Sequence, residues 1–119
     1  MTENKMETII TELVVNGGDA RGKALGAIKA ARDNDMDKAE KLMEECNEAL
    51  LKAHNFQTSF IQETLASDEE TPASLLMVHG QDHLMDAMVV RDLAAEMIEM
   101  YKMIHSLSEK NTMRKEERI

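Results

Sequence analysis

A chain of 119 residues is the size of one domain, long enough to bury a core but short of two. Eleven Met, no Trp, one Tyr, two Phe, one Pro and five Gly leave few strand formers, while Ala, Leu, Met, Glu and Lys are abundant; an all-α fold is expected. A net charge of −9 with so few aromatic rings argues against nucleic-acid binding, which needs clustered Lys and Arg and stacking platforms.

The first periodic segment covers about residues 2–31, with an apolar stripe at Met6, Ile9, Ile10, Leu13, Val14, Ala20, Ala24, Leu25 and Ile28. "NGGDA" at 16–20 resembles a turn signal, yet the stripe keeps its phase across it and Gly17 falls on the apolar face. A continuous helix is predicted, kinked or closely approached by a neighbour at Gly17, with a break at 16–19 as the alternative. "RDNDMD" then ends this helix and starts the next, with Asn34 or Asp35 as N-cap.

The second helix is expected over about 35–65, its stripe at Ala39, Leu42, Met43, Cys46, Ala49, Leu50, Ala53, Phe60 and Ile61. Cys46 is the lone cysteine, so no internal disulfide forms; its place on the stripe predicts a buried, inert thiol and a reducing compartment. His54 and Gln57 sit on the same stripe in "AHNFQT" and could, from a facing helix, line the same pocket as the ionisable cluster at 79–86.

After the loop "ASDEETPAS", Thr71 caps and Pro72 opens a third helix reaching about Leu107. Residues 1–107 thus form a single three-helix domain, and the charged segment 108–119, with little to bury, is expected to be frayed or disordered. The opening "MTENKMETIITEL" carries acids where a secretory leader has none, and runs such as "SLLMV" are too short to span a bilayer. A cytoplasmic protein, not embedded in a membrane, is expected.

The third helix is too apolar for one neighbour. Only a narrow sector (Gln81, Asp92, Glu96, Glu99) is plainly polar, so one apolar face can pack inside the chain and the rest calls for another copy in a symmetric oligomer. Leu75, Val78, Asp82, Met85 and Val89 follow one another at spacings of three and four, the pattern of a helix-packing seam in which Asp82 is the one charged member.

"MVHGQDHLMDAM" at 77–88 places His79, Asp82, His83 and Asp86 within about 100° of the helical wheel, among Leu75, Val90, Leu93 and Met97. Ionisable groups in an apolar arc need a partner, a metal or a task. Nucleophilic hydrolysis is excluded, since no Ser or Cys lies beside a base in a recognisable setting. Metal chemistry is conceivable through the histidines and acids, although H-E-x-x-H and paired E-x-x-H elements are absent. Phosphoryl transfer through histidine is the third option, because a neutral imidazole attacks phosphorus and the phosphoramidate formed is labile enough for a relay.

"MVHGQDHLM" resembles the active-site signature of the lactose/cellobiose-type enzyme IIA of the bacterial phosphoenolpyruvate-dependent sugar phosphotransferase system. "GDARGKALGAIKAA" and "KAEKLMEECNEALLKAHNFQT" resemble the same family, over roughly residues 6–105 in all. The resemblance implies an antiparallel three-helix bundle assembling as a homotrimer of nine helices. It implies that His79 accepts a phosphoryl group from the histidine-containing phosphocarrier protein and passes it to a cysteine of the cognate enzyme IIB, for uptake of a disaccharide of the lactose or cellobiose/chitobiose class. His83 takes a supporting role, and Gln81, with His54 and Gln57, is a candidate pocket residue whose wheel position points away from His79. Asp82 from each of three subunits is implied to hold a divalent metal ion on the trimer axis, Mg²⁺ fitting an all-oxygen ligand set. Three carboxylates gathered there would otherwise repel or protonate. The carrier is expected to dock through apolar contacts drawing on Met77, Leu84 or Met88. A two-component histidine-phosphotransfer domain lacks support, its H-x-L-K-G pattern being absent. A non-catalytic metal-binding helical trimer acting as a scaffold is the rival from a different class.

Overall fold

The computed structural model describes residues 3–67 and 74–118. Three helices, α1 (Glu3–Arg32), α2 (Met36–Ala66) and α3 (Leu75–Glu117), account for them, with no strand among the described residues. The chain is an all-α three-helix bundle. Lys23 pairs with Glu45 at 3.0 Å and Lys5 with Glu63, so α2 runs antiparallel to α1. Leu13 lies against Gly80, and Ala31 meets His105 further along, so α3 runs parallel to α1. Helix α1 is the central element: α2 and α3 each pack along it far more than they touch one another.

Local chemistry sets the helix limits. α1 passes through Asn16-Gly17-Gly18 without a break, ruling out the alternative of a break there. Asn16 is buried and its Nδ2 donates to the Glu12 carbonyl at 2.8 Å and to Glu12 Oε2 at 2.7 Å, so its side chain is satisfied inside the helix and does not compete for a turn. At the C-terminus Asn34 takes the left-handed conformation (φ 61), its N–H bonds to the Ala31 carbonyl at 3.0 Å, and the Asp35 N–H bonds to the Ala30 carbonyl at 2.8 Å. This Schellman closure satisfies two otherwise orphaned carbonyls. Asp35 then caps α2, its carboxylate accepting from the Lys38 N–H at 3.2 Å.

The expected start of α3 at Thr71 and Pro72 lies outside the described residues. Ser74 is the N-cap found, accepting from the Met77 N–H at 3.1 Å. At its other end α3 continues through Glu117, where a frayed segment was expected after Leu107. Ser108–Glu117 buries nothing, but it consists largely of good helix formers, Thr112 bonds back to the Ser108 carbonyl, and Arg114 and Lys115 complement the helix dipole. Local propensity continues a helix that tertiary packing has already nucleated.

The core is small-residued. Ile9, Leu13, Ala20, Ala24, Cys46, Ala49, Leu50, Ala53, Met77, Leu84, Ala87 and Ala94 form its main cluster; Ala27, Ala30, Ala31, Ala39 and Ile98 form a second at the α1–α2 turn. Leu13 and Leu84 are fully buried. Two stripe members, Leu25 and Ile61, are exposed, because a two-neighbour contact uses a narrower arc than the periodicity allowed. No helix among the described residues is long and apolar enough to cross a membrane.

Candidate functional site

Ser74 starts α3, and the histidine pair lies one turn in. His83 Nε2 is 3.2 Å from His79 Nε2, with the two rings edge-to-face at a centroid separation of 4.5 Å. The i, i+4 spacing makes this contact, since such residues stack on one helix face. One Nε2 must carry the proton and the other the lone pair. With His83 as the donor, its N–H covers the His79 Nε2 lone pair; swinging that N–H onto an arriving oxygen frees the lone pair to attack an electrophile.

His79, Asp82 and Asp86 are exposed in the single chain, and His83 is half-buried. The sequence reading placed these groups in an apolar arc away from solvent. The arc exists, but it is the one that α1 and α2 leave uncovered. α3 turns Met77, Gly80, Leu84, Ala87, Ala94 and Ile98 inward. Outward it shows Leu75 (85% exposed), Val78 (47%), Met85 (51%) and Val89 (56%), the apolar members of the seam around Asp82. Asp82 makes no hydrogen bond or ion pair with the described residues, and no group of three His, Cys, Asp or Glu converges among the described residues of one chain. Any ion held through Asp82 would therefore draw its other ligands from outside the described residues of that chain.

The polar pocket residues separate. Gln57 Nε2 donates to Gln81 Oε1 at 2.6 Å, bridging α2 and α3 on the side of α3 away from the histidine pair. His54 is exposed and lines a shallow groove with Asn47, Leu50, Leu51, Met88 and Arg91. It meets neither Gln57 nor His79 in any hydrogen bond among the described residues. Of the three residues expected to rim a docking surface, Met77 and Leu84 are buried in the chain's own core and only Met88 is half-open. Leu76 flanks His79 on the exposed side instead.

Cys46 is fully buried, and burial pushes its thiol pKa up, with nearby Arg91 pulling the other way. A thiol held protonated in the core is no nucleophile. Lys23 is raised by its bond to Glu45. The residue that sequence reasoning missed is His105, whose Nε2 lies 2.8 Å from the Ala31 carbonyl and ties α3 to the C-terminus of α1.

Residues 8–102 match the family described as "PTS system, Lactose/Cellobiose specific IIA subunit". The chain belongs to this enzyme IIA family. The lichenan-specific phosphotransferase enzyme IIA component of Bacillus subtilis is 48% identical over 100 residues, covering 84% of this chain and 90% of that one. Among solved structures, the cellobiose-specific enzyme IIA of Bacillus anthracis superposes with a TM-score of 0.81 at 42% identity, covering 89% of this chain and 94% of the other. The chitobiose enzyme IIA of Escherichia coli, solved in solution as a complex with HPr, superposes at 0.69 with 33% identity over 83% and 95% of the two chains. As a sugar-specific IIA of the lactose/cellobiose class, the protein is a component of the phosphotransferase system.

Proposed function

We propose that this enzyme IIA carries phosphoryl groups on His79. The observation that carries the reading is the His79–His83 pair at 3.2 Å, exposed one turn into α3. His79 Nε2 attacks the phosphorus of a phosphohistidine on HPr. The new N–P bond forms as the donor's N–P bond breaks, and the bonding pair returns to the donor imidazole. The relative solved with HPr supports this donor. In the second step a cysteine thiolate of the cognate enzyme IIB takes the group, forming S–P and releasing His79 for coupled uptake of a disaccharide of the lactose or cellobiose/chitobiose class. His83 assists by offering its N–H to the incoming oxygens.

The working form is a homotrimer built on the outward face of α3. Leu75, Val78, Met85 and Val89 need cover that α1 and α2 do not supply, and a second and third copy supply it symmetrically. Asp82, unpartnered in the middle of that seam, fits a divalent ion shared by three subunits, Mg²⁺ being the hard ion that suits carboxylate oxygen. Bound there, the ion would neutralise three converging carboxylates; its role is structural. The protein would act in the cytoplasm, where the sugar arrives.

The test is incubation with phosphoenolpyruvate and the two general upstream proteins, followed by intact-mass and peptide mapping. One acid-labile, base-stable phosphoryl group at His79 is expected, and none on His79→Ala at unchanged fold. Labelling of that variant would move the acceptor to His83 or His54, and an unlabelled parent would favour the scaffold.

A further inference from the structure

Of five glycines, Gly17 and Gly80 are the two that stand at the contact between α1 and α3. A Cβ built on Gly17 would lie 3.0 Å from both the carbonyl carbon and the oxygen of His83, and 3.2 Å from its Cβ. A Cβ on Gly80 would meet Leu13 Cβ at 3.3 Å and the Ile10 carbonyl oxygen at 3.6 Å. The two contacts lie side by side on the parallel helices, with Leu13 seated over Gly80 and the His83 backbone over Gly17. Helix axes ordinarily stand 8–10 Å apart because side chains intervene. Where glycine removes the side chain, backbone meets backbone, and backbone cannot swing aside as a side-chain tip can. The turn of α3 held in this way is the one bounded by His79 and His83, whose rings meet at 3.2 Å. Gly18, next in sequence, has nothing within 4 Å of a built Cβ.

We propose that Gly17 is a positioning residue for phosphoryl transfer: it fixes the backbone of His83, and through it the imidazole that His83 sets against His79. The inference rests on the reading that His79 accepts the phosphoryl group. Gly17 touches neither reactant. A methyl group there displaces the His83 main chain by a few tenths of an ångström, and the i, i+4 ring contact follows that movement. Misplacements of this order are felt in rate, because a transfer step rewards only near-attack geometry.

A double-mutant cycle separates this role from simple packing. His83→Ala retains the three atoms that a Gly17 methyl would meet, the carbonyl carbon, the oxygen and Cβ, and removes only the ring. Single-turnover phosphorylation by phosphorylated HPr would be timed for the parent, Gly17→Ala, His83→Ala and the double variant, with Gly18→Ala as control. Gly17→Ala is expected to slow acceptance by about tenfold or more, Gly18→Ala to match the parent, and the double variant to match His83→Ala alone. A Gly17→Ala rate equal to that of the parent overturns the proposal, and so does a double variant slower than His83→Ala by the full Gly17 factor. If circular dichroism finds Gly17→Ala unfolded, the glycine is a requirement of folding and a separate positioning role is overturned. The imidazole ¹H–¹⁵N signals of His79 and His83 in the unphosphorylated protein provide a readout independent of transfer. They should move in Gly17→Ala and not in Gly18→Ala. A parent that accepts no phosphoryl group while those ring signals still move would defeat the transfer reading and leave the positioning contact standing; ring signals that do not move defeat the contact.

Discussion

Gln57 of α2 and Gln81 of α3 share a hydrogen bond of 2.6 Å, and Gln81 stands between the two histidines in sequence while pointing to the opposite side of the helix. It is a direct polar link between helices that otherwise touch little. Because Gln81 is half-buried, its amide loses a partner if Gln57 is truncated. Gln57→Ala is expected to lower stability by about 1–2 kcal/mol, and Gln81→Ala in the same background to add much less than it does alone. Urea melts of the parent and the three variants check this, and additive losses would show that the two amides act independently. Labelling of His79 should persist in each.

For His83→Ala, transfer to His79 should slow by roughly 10²–10⁴-fold, the usual worth of a positioned acid–base imidazole. Labelling should still reach completion, because the nucleophile is intact. Rapid-quench timing gives the answer, and an unaltered rate would reduce His83 to a packing residue.

Asp82→Leu should abolish any chelator-sensitive stability while the trimer persists or tightens. Apolar replacement of a buried ionic cluster is often neutral or stabilising by about 1–4 kcal/mol. Sedimentation and thermal melting of parent and variant, each with and without chelator, decide it. A parent indifferent to chelator together with a variant that falls to monomers would refute the shared-ion arrangement.

Cys46 predicts an alkaline weakness. Its thiol pKa is raised in the folded chain by burial, so the folded state holds this proton to higher pH than the unfolded state does. The stabilisation that follows is complete below the unfolded thiol pKa and is lost as pH rises through the folded one. Stability of the parent should therefore fall with pH above the ordinary thiol range, and Cys46→Ala should flatten that fall at a cost of about 1 kcal/mol at neutral pH. Denaturant melts at several alkaline pH values measure both. Phosphoryl transfer in Cys46→Ala should match the parent, and a lost transfer would mean that the thiol takes part.

Much of the fold could be read before any coordinates. Period 3.6 stripes, the Asp35 cap and the continuity of α1 across Gly17 are local signals, and local signals survive into tertiary structure when neighbours agree with them. The histidine pair was legible for the same reason, since i, i+4 spacing on a helix already states a contact. What stayed illegible was relative placement. A wheel shows that α3 has two apolar faces but not which one α1 takes, so Met77, Leu84 and Met88 stay equal candidates for an exposed rim until the structure turns Met77 and Leu84 inward. Gln57 with Gln81, and Ala31 with His105, join positions whose register is set only once three helices pack together. The helix beyond Leu107 escaped because packing arguments look for apolar surface, and that segment folds on backbone propensity with almost none to bury.

Helix α3 outruns its companions. Its last tie to α1 is the His105–Ala31 bond, and about three further turns project past the α1–α2 connection to Glu117. At 1.5 Å per residue, Glu117 stands roughly 57 Å along the helix from His79. Backbone amides in the overhang are bounded by water on every side, so they should exchange with solvent while the bundle stays shut. A fluorophore or fused reporter attached at this end would stand far from His79, so that on the proposed cycle it would follow the carrier without standing in the path of donor or acceptor.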